Sequence, residues 1–125
     1  MAGTLSNNKV KVLVRGPIIE IDGVKFHLHL NGGGMVAENA KVAVSATIGV
    51  CARVLSGATV CSDARILGRS VVGKDAIVES RALLRDSILG DYSVVRPGFT
   101  IENFMIPDKT TVAGNLKGEF DMPAR

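Results

Sequence analysis

The chain has 125 residues, with 15 Lys and Arg against 12 Asp and Glu, a net charge of +3, no Trp, one Tyr and four Phe. That length makes one domain, and the interleaving of Arg53, Arg65, Arg69, Lys74, Arg81 and Arg85 with Asp63, Asp75, Glu79 and Asp86 excludes a nucleic-acid track, which needs a one-signed stripe with stacking aromatics. No uncharged stretch approaches the ~18 residues of a membrane span. Met1 to Asn8 also lacks the cationic start and apolar run of a secretory signal, so a cytoplasmic protein with no membrane partner is expected.

Along the chain, Lys9-Val10-Lys11-Val12-Leu13-Val14 alternates like an edge strand, and Ile18 to Leu30 reads as a hairpin around Asp22-Gly23, a strong type I′ turn signal. Strand parity places His27 and His29 on the solvent side with Lys25, opposite Val24, Phe26, Leu28 and Leu30. Asn31-Gly32-Gly33-Gly34 is expected to be a flexible joint, which makes residues 1–34 a cap. An irregular first coil is the alternative, because Val12, Ile18, Val24 and Leu30 keep the spacing found downstream. The cap is favoured because Asp22 and Leu28 break the accompanying row of small residues.

From residue 35 a strict beat sets in. Val36, Val42, Ile48, Val54, Val60, Ile66, Val72, Val78 and Leu84 recur every six residues, and Ala40, Ala46, Ala52, Ala58, Ala64, Ser70, Ala76 and Ala82 lie two positions before all but the first. Small-x-aliphatic is the period-2 alternation of a very short strand, and the three residues left over make a corner. Three such units close a triangle that stacks on the next, giving a parallel β-helix. After Leu84 the beat slips by one, so that Leu89, Val95 and Ile101 become inward residues with Ser87 and Ser93 as small partners. Cys51 and Cys61 fall at separate corners and are expected to be free thiols.

Units such as Ile48-Gly49-Val50-Cys51-Ala52-Arg53 and Val72-Gly73-Lys74-Asp75-Ala76-Ile77 resemble the hexapeptide-repeat family. The resemblance covers residues 35–116 and implies an all-β, left-handed parallel β-helix of about four to five triangular coils, followed by a tail at 117–125 that Phe120 and Met122 could anchor. Ile106-Pro107-Asp108-Lys109-Thr110-Thr111-Val112-Ala113-Gly114-Asn115 is similar to the closing turn of hexapeptide acyltransferases, with Leu116 where a final Pro is usual. By that resemblance, coenzyme A or acetyl-CoA would lie between neighbouring rods near Pro107, Thr110, Val112, Ala113 and Gly114. Such transferases use a histidine base, and the repeat has none; a carbonic anhydrase-like metal site needs a third histidine, and only two exist. No catalytic or metal residue is assigned.

The outward residues of successive strands are polar at Lys41, Thr47, Arg53, Thr59 and Arg65, then apolar at Val71, Ile77, Leu83, Ile88 and Val94. A run of exposed apolar groups marks a partner surface, so the latter five are the expected homo-oligomer interface. Related rods pair as parallel trimers; a dimer is the alternative, and end-to-end filaments are opposed by the cap. The functional expectation is a non-catalytic oligomeric scaffold or binding module without a cofactor, with an acyl-CoA-dependent acyltransferase acting at a subunit interface as the alternative.

Overall fold

The computed structural model describes residues 18–118. The expected strand at 9–14 and the tail residues Phe120 and Met122 lie outside the described residues. The rod is a parallel β-helix of three sheets, one of seven strands and two of five. The first face carries Val36, Val54, Val72, Leu89 and Ile106 inward, the second Val42, Val60, Val78, Val95 and Val112, and the third Ile48, Ile66, Leu84, Ile101 and Leu116. All of these except Val42 and Leu116 are buried, and the alanine row lies beside them at 0–1% exposure from Ala46 to Ala82. Branched side chains beside methyls fill an axis too narrow for rings, which is why the described core is so poor in aromatics.

Regular corners close in one way. Ala52 N–H donates to Gly49 C=O (2.9 Å), Ala58 to Leu55 (3.2 Å) and Ala64 to Cys61 (3.2 Å), each a three-residue turn ending at the small position. The last corner residue is left-handed at Gly57, Asp63, Asp75 and Arg81, with φ between 56° and 75°. Gly and Asp accept this conformation readily; Arg81 does so at a cost.

Two corners are one residue shorter, Arg85-Asp86 and Glu102-Asn103, so the beat slips from Leu84 to Leu89, as expected, and again from Ile101 to Ile106, while the last inward residue, Leu116, follows only four positions after Val112. Asp86 and Asn103 both have φ 51°. A two-residue corner cannot form the turn bond, and the orphaned amides find serine hydroxyls in the preceding coil: Ser87 N–H donates to Ser70 Oγ and Phe104 N–H to Ser87 Oγ, both at 3.1 Å. Ser70, Ser87 and Ser93 are 0–1% exposed. Their hydroxyls serve the backbone, because a buried N–H without an acceptor would cost about 1–3 kcal/mol.

The N-terminal segment is a hairpin, Ile18–Ile21 with Val24–Leu28, turned through Asp22 and Gly23 at φ 50° and 81°. Both central φ values are positive, as a type I′ turn requires. Its second strand pairs antiparallel with Met35–Ala37, so the hairpin extends the first sheet rather than forming a further coil. The glycine joint is docked rather than loose: Gly34 N–H donates to Ile48 C=O (2.8 Å) and Ile48 N–H to Asn31 C=O (3.0 Å). A side chain on Gly32 or Gly34 would run into the Ile48 backbone.

His29 departs from the expected solvent-facing pair. It is 8% exposed, and its Nε2 lies 2.9 Å from the Ala46 carbonyl oxygen. The strand ends at Leu28 and the chain turns, so parity does not extend past that residue: His29 turns in, while Leu30 is 64% exposed. His27 is half-buried.

Candidate functional site

The shortened corners lie one above the other on the edge between the third and first faces. Two residues project less far than three, and a groove of about 660 Å³ runs there, lined by Arg69, Asp86, Ile88, Asn103, Phe104, Met105, Lys117 and Gly118. Its wall is apolar: Met105 is 71% and Ile88 40% exposed, and Phe104 packs partly on the core from the small position of its unit. Arg69 and Lys117 place cations at its rim, and neither forms an ion pair among the described residues. Asp86 is tied into the edge, since its Oδ1 accepts from Arg69 N–H at 3.1 Å. An apolar trough with a cationic rim suits a ligand that joins an apolar chain to phosphate.

The closing-run residues lie elsewhere on the same end. Pro107 and Thr110 bound the corner between the first and second faces; Pro107 C=O accepts from Ser93 Oγ (2.7 Å), and Thr110 N–H donates to that hydroxyl (3.0 Å). Val112 is 5% exposed with its side chain in the core. Ala113 and Gly114 begin the next corner, between the second and third faces, and a Cβ on Gly114 would meet nothing within 4 Å. Within one rod these residues do not line the groove.

The outward apolar residues form columns. Val71 sits against Ile88 and Ile88 against Met105 on the first face, and Ile77 sits against Val94 on the second. Leu83 stands alone on the third face, between Arg65 and Thr100. Spacing in the sequence does not single out Met105; its place on the column emerges only once the second slip is recognised.

Elsewhere the surface charges pair from coil to coil, Arg96 with Glu79 at 3.1 Å and Arg85 with Glu102 at 3.7 Å, contacts worth at most about 1 kcal/mol each. Cys51 is exposed and Cys61 half-buried, and both are free. No group of three or more His, Cys, Asp or Glu able to hold a metal occurs among the described residues. No helix of the described residues is long and apolar enough to cross a membrane.

No family model and no curated protein matches the chain. Among solved structures, it is similar to a histidine-to-asparagine mutant of perosamine N-acetyltransferase from Caulobacter crescentus in complex with CoA and GDP-perosamine, at 18% identity and a TM-score of 0.50, covering 66% of this chain. The chain spans 46% of that protein's length. Together with the stacked triangular coils, this likeness shows the fold, a left-handed parallel β-helix.

Proposed function

We propose that the protein is an acyl-CoA-dependent acyltransferase whose CoA lies between two parallel rods, in the groove of one and against the closing corners of the next. The observation that carries this reading is the likeness of its solenoid to an acetyltransferase whose structure holds CoA. The groove supports it chemically: Ile88, Phe104 and Met105 offer an apolar wall to the pantetheine chain, and Arg69 and Lys117 offer cations to the phosphates. Rods related by a threefold axis keep equal coils level, so Pro107, Thr110, Ala113 and Gly114 of one rod meet the groove of its neighbour, with the apolar columns of Val71, Ile77, Ile88 and Val94 between them and Leu83 at their margin. In the transfer, a neutral amine attacks the thioester carbonyl, the carbon–sulfur bond breaks, and the departing thiolate takes the proton the amine loses. Such an acceptor makes little demand for a histidine base, which the rod lacks.

A second reading, a binding module or scaffold without catalysis, is favoured by that same lack: both histidines of the chain belong to the N-terminal segment, roughly four coil spacings of 4.7–4.9 Å from the groove. One experiment separates the two. CoA and acetyl-CoA raise the melting temperature, and the effect is lost in Arg69→Glu with Lys117→Glu. It is lost together with assembly, by light scattering, in Ile77→Lys with Ile88→Lys. Thiol release from acetyl-CoA in the presence of amines establishes the transferase, binding without release establishes the module, and absence of binding rejects the groove for both.

A further inference from the structure

On the edge between the second and third faces, the corners of successive coils stack directly. Asp63 N–H donates to Ser45 Oγ (3.0 Å), Arg81 N–H to Ser62 C=O (3.1 Å) and Gly98 N–H to Ser80 C=O (3.0 Å). Beside this stack the third face carries Thr47 and Arg65 outward at paired positions. An open depression of about 610 Å³ joins the two, lined by Ser45, Thr47, Asp63, Arg65, Arg81 and Gly98. Three of its groups are charged and none is paired. Both guanidiniums and the Asp63 carboxylate lack an ion pair or side-chain hydrogen bond among the described residues, whereas Arg85 and Arg96 on the same rod reach Glu102 and Glu79. Arg81 also holds a left-handed φ of 63° at a corner position filled by Asp63 in the coil before and Gly98 in the coil after, so its side chain is kept there against a backbone cost.

Ser45 Oγ accepts from the Asp63 amide and keeps its own proton to donate, and the Thr47 hydroxyl has no partner among the described residues. The depression therefore offers two cationic forks and two hydroxyl donors beside one carboxylate acceptor. We propose that it binds the phosphate monoester of a small polyol. The phosphate dianion is taken by Arg65 and Arg81 with the two hydroxyls, and the polyol hydroxyls donate to Asp63. A bare anion meets the opposing carboxylate at a loss, whereas a ligand that carries hydroxyls beside its phosphate uses that carboxylate as an acceptor. Asp63 thus selects the polyol, and the arginines select the phosphate. This inference stands apart from the transferase reading, since the depression lies within one rod and shares no residue with the groove.

The test is titration of the full chain with glycerol phosphate at constant ionic strength, followed by amide NMR. Saturable binding in the millimolar range is expected, with the Asp63, Arg81 and Gly98 amides shifting together. Arg65→Gln changes an exposed side chain and Arg81→Gly suits the left-handed corner, so both variants remain folded; each weakens binding about tenfold. Methyl phosphate, which keeps the dianion without the hydroxyls, binds the unaltered chain more weakly than glycerol phosphate does, and Asp63→Asn removes that preference. Absence of saturable glycerol phosphate binding overturns the proposal, and so does binding that either arginine variant leaves unchanged. Equal affinity for methyl phosphate also overturns it, marking an adventitious ion only.

Discussion

The coils up to Leu84 and those after it share three sheets and one axis but close their corners by different bonds. In the first group, three-residue corners let every alanine of the small row donate to the carbonyl three positions back, and alanine suffices there because the backbone satisfies itself. In the second, the Arg85-Asp86 and Glu102-Asn103 corners are too short for that bond, and a serine hydroxyl one coil away replaces it. The comparison shows that Ser replaces Ala at the small position one coil before an amide that lacks the turn bond, at Ser70, Ser87 and Ser93, whose hydroxyls accept from Ser87, Phe104 and Thr110 N–H. It also shows where a groove arises on a rod whose faces are otherwise nearly flat: on the edge from which residues have been removed.

The largest effect is expected in the regular coils. Ala64 is 0% exposed against a closed axis, so Ala64→Leu should cost about 3 kcal/mol, the upper end of overpacking, and lower the melting temperature by about ten degrees in calorimetry. An unchanged transition would mean that the methyl row does not set the width of the axis. Next comes Ser87→Ala, which deletes the acceptor of Phe104 N–H and the donor to Arg85 C=O (2.9 Å). About 2 kcal/mol should be lost, with faster amide exchange at Phe104; equal exchange in both proteins would show that the short corner satisfies itself by another route. The smallest effect has the opposite sign. Arg81→Gly relieves a left-handed arginine at φ 63° and should raise stability by up to about 1 kcal/mol, measured as a shift in denaturant midpoint at unchanged slope.

The fold is legible in the sequence because six-residue spacing leaves no other way to bury two positions in every six, and the first slip is legible because Leu89 and Val95 keep the beat after it. The second slip is hidden. Phe104 and Phe99 occupy small positions in the last coils, partly buried against the core, and an aromatic there conceals the unit that Ile106 completes. The groove escapes a linear reading for the same reason, since its lining converges from three coils and depends on both short corners. Strand parity misplaces His29 because the strand ends one residue before it, and the glycine joint misleads because glycine signals freedom when, as at Gly34, it can equally signal close approach.

Corner side chains also tie each coil to the next. Asn39 Oδ1 accepts from Gly57 N–H, Asp91 Oδ1 from Lys74 N–H, and Asp108 Oδ1 from Asp91 N–H, at 2.8–3.1 Å, so one edge of the rod carries a discontinuous seam of single stitches. Under tension applied along the axis from the C-terminal end, such a molecule should not rupture as a block. Each coil holds only its neighbours, and the coils should peel away one after another, each release lengthening the chain by a nearly constant step until the hairpin end is reached.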